Sequence, residues 1–370
     1  MLGKTLIIAF TVFPLYWWRF DGSLYSLGQA AALMGIVLFS INFVLAGRYF
    51  FLESLFGGLN KVYKIHHLTG KIAYSLIFLH PTLILISLGK ILTQPNILLG
   101  TFAFVILSSL IYLTLVAKLK YDAWKKTHQF MSIALLLGAI HAILSGSTIN
   151  TYPLLKIYLM GWVIVALTSA FIRLFNIRLK FHGYNYKVSE IQDVGKWILL
   201  KLESLGSKLT FVPGQFVFLS MLGKKISQES HPFSLAGSPN DNQLFLGIKK
   251  LGDYTETMSN IRVGDKAYVE GAYGKFSHVF SKKKKQIWIA GGIGVTPFRS
   301  MAKDALVKNY EIYFYYSINK PDENLFDNEF QKFKSNSFKY ELWITQKRGR
   351  ITAEYMAKNS AGLDNTDIFI

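Results

Sequence analysis

Apolar residues run through the first half of the chain in six stretches, at about 5–20, 26–47, 66–89, 96–117, 128–148 and 152–175. Each comes near the roughly 20 residues that a helix needs to cross a hydrocarbon core, so the pattern predicts six membrane-spanning helices. Between the second and third stretches Phe50, Phe51, Leu52, Leu55, Phe56 and Leu59 recur at helical spacing, which predicts an interfacial helix within the loop 48–64. No small-residue cleavage pattern follows Trp17-Trp18-Arg19, so the first stretch is expected to stay on the protein and not to be removed as a signal peptide.

From about residue 181 the pattern changes to short alternating segments punctuated by Gly, Pro and Asn. Lys196 to Leu202, Gln215 to Met221, Gln243 to Lys249 and Lys266 to Glu270 read as strands of a small antiparallel barrel. From Gln286 the order becomes strand (Gln286 to Ala290), Gly-rich turn, helix (about 297–308), strand (Glu311 to Ser317), acidic helix (about 323–334) and strand (Tyr340 to Thr345). Strand and helix alternating at this spacing predict a parallel α/β sheet. The expected domains are therefore 1–180 in the membrane, 181–284 as a β-barrel and 285–370 as an α/β domain. The run Lys282 to Lys285 reads as a solvated turn.

Charge sharpens this division. Of 41 Lys and Arg and 22 Asp and Glu, residues 1–180 hold 15 basic and only three acidic residues. A net charge of +19 raises nucleic-acid binding, but the basic residues of the first half sit between apolar stretches, so no nucleic acid is expected. With the N-terminus in the cytoplasm, inner segments carry Lys4, Arg48, Lys61, Lys64, Lys118, Lys120, Lys125, Lys126, Arg173, Arg178 and Lys180, against Arg19, Lys90 and Lys156 outside. That asymmetry satisfies the positive-inside rule and puts everything after Lys180 in the cytoplasm. The absence of Cys excludes disulfides, Cys-ligated clusters, covalent c-type haem and Cys zinc sites within this sequence.

Any metal must then use His or carboxylates. Polar rings are costly in hydrocarbon and normally face a partner. Four His fall in apolar stretches as two pairs: His66 and His80 in the third, His128 and His141 in the fifth. Separations of 14 and 13 residues put each pair roughly 20 Å apart along its helix, so the pairs meet at matched depths and predict two stacked bis-His haem sites. A step of 14 returns to within about 40° of its face, but a step of 13 misses by about 140°. The fifth helix must therefore tilt, bulge or use different rotamers, and Gly138 is the expected place for a distortion. His67 competes with His66 as the inner ligand.

Three further segments carry chemistry. His231-Pro232-Phe233-Ser234 offers an aromatic on a restrained backbone beside a hydroxyl, and Lys249-Lys250-Leu251-Gly252-Asp253-Tyr254-Thr255 leads from a strand into a probable helix start. Ile287-Trp288-Ile289-Ala290 runs into Gly291-Gly292-Ile293-Gly294-Val295-Thr296-Pro297, a strand followed by a turn whose glycines let the backbone approach a pyrophosphate.

In this order these motifs and the two His pairs resemble the ferric reductase and NADPH oxidase superfamily, most closely its prokaryotic NADPH oxidases, over nearly the whole chain. The resemblance implies a six-helix haem domain followed by a ferredoxin-reductase-like pair of FAD and NAD(P)H domains, in an integral protein of a bacterial plasma membrane. It implies two b-type haems held by His66, His80, His128 and His141, and FAD with its ring at His231, Pro232, Phe233 and Ser234 and its phosphates near Lys249, Gly252 and Thr255. NADPH or NADH would lie along Gly291, Gly292, Gly294, Thr296 and Pro297. Trp124 would lie between flavin and haem, and Ser234 at the reacting flavin.

The implied activity is transfer of electrons from cytosolic NAD(P)H through FAD and both haems to an outer acceptor: dioxygen giving superoxide or, with the same relay, a ferric chelate. A His-bearing transporter or channel with a regulatory nucleotide-binding domain is the alternative of another class. Lys320, with Arg348 or Arg350, is the expected cation for an NADPH 2′-phosphate. Without an EF-hand pattern or a proline-rich tail, neither calcium control nor an obligate protein activator is expected. The family's last strand runs into a Cys-Gly-Pro motif; here the sequence ends with Thr366-Asp367-Ile368-Phe369-Ile370, so an NAD(P)H domain truncated at its C-terminus and slow hydride transfer are expected of this chain.

Overall fold

The structure is a computed structural model that describes residues 2–18, 20–89, 94–145, 147–175, 183–223, 226–306, 308 and 310–370. Arg19, Lys90, Arg178 and Lys180, used above for membrane topology, lie outside the described residues. The chain forms two units, residues 1–177 and 178–370.

The first unit is helical: α1 (Leu2–Val12), a 3₁₀ turn (Phe13–Tyr16), α2 (Leu24–Leu45), α3 (Phe50–Phe56), α4 (Leu59–Leu88), α5 (Pro95–Leu115), α6 (Tyr121–Gln129), α7 (Met131–Ser145), α8 (Ser147–Thr151) and α9 (Pro153–Leu174). Among the described residues five segments are long and apolar enough to cross a membrane, with α6 and α7 counted as one. With the shorter apolar helix that the first stretch gives, Leu2–Tyr16, the described residues carry five or six apolar helices at the six expected places. Within the loop 48–64 a helix does form: α3, which ends where Gly57 turns left-handed (φ 74°).

Helix α2 is the most buried of the long helices. Ser23 caps it by accepting from the Ser26 N–H at 3.0 Å. Its glycines let α4 come close: a Cβ on Gly28 would lie 3.2 Å from the His80 carbonyl oxygen, and one on Gly35 2.9 Å from Ile77 Cγ1.

The second unit holds two sheets. β1 (Gly183–Val194), β2 (Trp197–Ser204), β3 (Phe216–Met221), β4 (His231–Ser234), β5 (Gln243–Lys249) and β6 (Lys266–Tyr273) form an antiparallel sheet ordered β4-β3-β6-β1-β2-β5. A bridge between Leu235 and Leu246 joins its two ends into a near-barrel. Helix α10 (Asp253–Thr257) follows β5. The second sheet is parallel, ordered β10-β7-β8-β9. It comprises β7 (Lys285–Gly291), β8 (Glu311–Ile318), β9 (Phe338–Ile344) and β10 (Thr366–Phe369), with α11 (Val295–Ala305), α12 (Asp327–Phe333), α13 (Thr345–Arg348) and α14 (Ala353–Asn359) between strands. Lys283 and Lys285 donate to the carbonyls of Thr366, Ala361 and Gly362, and Lys284 lies over the Tyr310 ring.

Alternation along β2 ties the two sheets together. Ile198, Leu200 and Leu202 fill the barrel core, while Trp197 and Leu199, on the opposite face, pack into the core of the parallel sheet. At the same seam Arg299 Nη1 donates to the Ala236 carbonyl at 2.7 Å and Ser300 Oγ to the Gly237 carbonyl at 2.5 Å. A Cβ on Gly247 would meet Thr296 Cγ2 at 2.8 Å, so β5 and the start of α11 touch without room for another side chain.

Candidate functional site

The four membrane histidines meet as two pairs. His66 on α4 faces His128 on α6, and His80 on α4 faces His141 on α7; in both pairs the ring centroids are 6.3 Å apart. His67 points out to the surface. Part of the helical register that a step of 13 could not satisfy is made up at Phe130, which separates α6 from α7 and whose N–H bonds Thr127 O at 3.1 Å, three residues back. A 3₁₀-type turn winds about 120° per residue instead of about 100° and so rotates His141 relative to His128. The distortion expected at Gly138 is not there: Gly138 lies inside α7.

Every pair member has its Nδ1 occupied. His66 Nδ1 lies 3.1 Å from the Asn42 carbonyl oxygen, His80 Nδ1 3.0 Å from that of Gly28 and His141 Nδ1 2.7 Å from that of Asn96. A carbonyl can only accept, so these three rings carry hydrogen on Nδ1. His128 Nδ1 lies 3.3 Å from Thr114 Oγ1, which donates its own hydrogen to the Leu110 carbonyl at 2.8 Å. That hydroxyl too can only accept from His128. All four rings therefore present an unprotonated Nε2. Sequence reasoning missed these acceptors; only Asn42, a buried amide in an apolar helix, carries a signal that could have found one.

A cavity of about 220 Å³ adjoins the inner pair, lined by His66, His128, Asn42, Gly70, Trp124, Lys125 and Arg173 among others. The Trp124 ring stacks on His128 with centroids 5.3 Å apart and planes at 29°. At the outer pair a Cβ on Gly100 would lie 2.6 Å from His141 Nδ1, so only glycine leaves space for that ring.

In the second unit His231, Pro232, Phe233 and Ser234 make up β4, the edge strand, where Pro232 interrupts no further ladder. His231 stacks on Tyr254 with centroids 3.6 Å apart and planes at 20°; burial pushes the Tyr254 phenol up to about 12. Lys249 Nζ lies over the Trp197 ring at 5.4 Å. Thr255 Oγ1 accepts from the Leu251 and Gly252 N–H groups at 2.9 and 3.1 Å and donates to the Gly252 carbonyl. Its hydroxyl shapes the loop that follows Lys249.

The Gly-rich turn sits at the carboxyl end of β7, where parallel sheets bind ligands. Gly292 to Gly294 form a 3₁₀ turn that carries the chain into α11 at Val295, with Thr296 Oγ1 on the Ile293 carbonyl and Pro297 in the first turn. A Cβ on Gly291, Gly292 or Gly294 would meet nothing within 4 Å. The packing of the protein does not demand these glycines; they border open space.

Comparison with protein families agrees with this division. Residues 31–139 match the ferric reductase like transmembrane component, 185–291 an FAD-binding domain and 288–370 an oxidoreductase NAD-binding domain. The chain joins a ferric reductase transmembrane domain to FAD- and NAD-binding domains. It is 38% identical over 117 residues to a probable dihydroorotate dehydrogenase B (NAD(+)) electron transfer subunit of Pyrococcus furiosus, a match covering 31% of this chain and 42% of that protein. It is 34% identical over 105 residues to dual oxidase 2 of Sus scrofa, covering 26% of this chain and 7% of that one. The chain spans less than half the length of both relatives. Among solved structures, a ferredoxin NADP+ reductase from Neisseria gonorrhoeae aligns with 50% of this chain and 84% of its own, at 17% identity and a TM-score of 0.45.

A ferric reductase domain implies haem, and the His pairs fit it. Two metal–imidazole bonds of about 2 Å, plus about 1.1 Å from each nitrogen to its ring centre, put centroids about 6 Å apart across one metal, close to the 6.3 Å of both pairs. Among the described residues no cluster of three or more His, Asp or Glu could hold a metal ion instead. The open space over Gly291, Gly292 and Gly294 likewise suits a dinucleotide backbone.

Proposed function

We propose that this integral membrane protein carries electrons from cytoplasmic NAD(P)H, through FAD and two b-type haems, to dioxygen on the far side of the membrane, giving superoxide. When bound, FAD would supply the change from a two-electron hydride to single electrons, and haem held by these His pairs would supply iron that takes one electron at a time. The observation that carries the reading is the pair of facing histidines at each end of α4, with all four Nε2 atoms presented. His66 and His128 hold the inner site and His80 and His141 the outer one, roughly 20 Å apart along α4. Trp124, stacked on His128, extends the inner site by one aromatic ring. The Gly291 to Pro297 turn holds the dinucleotide pyrophosphate. Lys320, exposed just beyond β8, receives the 2′-phosphate of NADPH; Arg348 is held by Glu341 at 2.6 Å and stacks on Trp343 at 3.6 Å.

Similarity to proteins named dual oxidases favours dioxygen; the ferric-reductase-like match favours a ferric chelate as the second reading. The absorbance spectrum of the purified protein tests the relay: Soret and flavin bands together are expected, and absence of either sinks it. NADPH-driven reduction of cytochrome c that superoxide dismutase suppresses supports dioxygen. Reduction of a ferric chelate, insensitive to the dismutase and unaccompanied by oxygen uptake, supports the second reading.

Ser234 ends β4 opposite Phe216. In this reading its hydroxyl meets the reacting edge of the flavin ring, whereas most flavin affinity comes from ring burial and phosphate contacts. Ser234→Ala is expected to slow flavin reduction at least tenfold while changing FAD affinity less than threefold. Stopped-flow reduction and flavin titration measure the two; a large loss of affinity at an unchanged rate contradicts this division.

A further inference from the structure

Three of the four Nδ1–H groups end on main-chain carbonyls, and the fourth does not. His66, His80 and His141 have carbonyl acceptors at 3.1, 3.0 and 2.7 Å, whereas His128 has the Thr114 hydroxyl at 3.3 Å. An acceptor that draws on Nδ1–H raises the basicity of Nε2, and a more basic ligand favours ferric over ferrous iron. A long bond to a neutral hydroxyl polarises the ring least, so His128 is the weakest donor of the four. At the outer site His141 has the shortest of these bonds and a second acceptor, Ser145 Oγ, at 3.1 Å. The inner cavity is also lined by the cations Lys125 and Arg173, whose charge favours an added electron.

We propose, resting on the haem reading above, that Thr114 is a positioning residue which tunes the inner site, and that the His66–His128 site has the higher midpoint potential of the two. An electron arriving from the cytoplasmic side then rests at the inner site and moves outward only as an acceptor withdraws electrons from the outer one. The backbone fixes three of the four closest acceptors, so Thr114 is where a side-chain change can move the inner site and leave the outer one alone.

Potentiometric titration of the full-length protein with both haems bound, with dithionite as reductant and haem absorbance as readout, tests this. Two one-electron ferric-to-ferrous waves are expected. His66→Ala, which keeps only the outer haem, should show a single wave at the lower position. Thr114→Val removes the acceptor and should raise the upper wave alone, and Thr114→Ser should return it to its original place. Ser145→Ala should raise the lower wave and narrow the gap; it decides the ordering independently if Thr114→Val binds haem poorly. The proposal is overturned if Thr114→Val leaves both waves in place, or if the His66→Ala wave coincides with the upper one. A wild-type protein with no haem bands overturns the reading of the His pairs as well, whereas two haems with unmoved waves overturn only the role of Thr114.

Discussion

His141→Ala is expected to purify with one haem per chain in place of two, and His80→Ala to do the same. If the two pairs are the haem ligands, each site draws one from α4 and one from α6 or α7, so removing an outer ligand leaves His66 and His128 untouched. Gly100→Ala should give the same loss with no ligand removed, because the new Cβ would lie 2.6 Å from His141 Nδ1. The ring must turn away and give up its bond to the Asn96 carbonyl, and loss of such a supporting bond typically weakens metal affinity by about 10- to 100-fold. His67→Ala, at the surface, should keep both haems. Pyridine haemochrome quantification per chain reads all four variants. Two haems in His141→Ala would sink the ligand assignment; two haems in Gly100→Ala alone would mean that α5 shifts to make room.

The histidine pairs were legible in the sequence because polar rings in apolar stretches are rare enough that depth alone matches them. Their register was not. Nothing in the identity of Phe130 announces that α6 ends there, and the glycine that seemed the natural weak point, Gly138, sits in ordinary helix. The Nδ1 acceptors were hidden for a different reason: main-chain carbonyls at Gly28, Asn42 and Asn96 have no side-chain signature, and the Thr114 contact joins residues on separate helices. In the second unit β5 appeared at its full predicted length, Gln243–Lys249. β1 was missed although Tyr184, Tyr186 and Val188 alternate, since charged and polar residues dilute its far end. Helix α11 begins at Val295, two residues before the expected 297, because the glycines make a 3₁₀ turn that continues directly into it.

Those glycines support a prediction that separates binding from folding. Gly294 has φ −59° and ψ −4°, a conformation open to any residue, and a Cβ there would meet no protein atom within 4 Å. Gly294→Ala should therefore leave the fold intact, with a melting temperature and FAD content like those of the parent. Gly292 is a poorer probe, because its φ of +50° adds roughly 1–2 kcal/mol of backbone strain for any other residue. If the turn cradles a pyrophosphate, the new methyl occupies the space of the ligand. The KM for NAD(P)H in flavin reduction should then rise at least tenfold, equivalent to about 1.4 kcal/mol of binding. Reduction of the haems by dithionite should be unchanged, since it does not pass through the dinucleotide site. A KM like that of the parent would place the dinucleotide elsewhere on the sheet. A lowered melting temperature would mean instead that the space over Gly294 is filled by the protein itself in solution, and the turn would lose its role as a cradle.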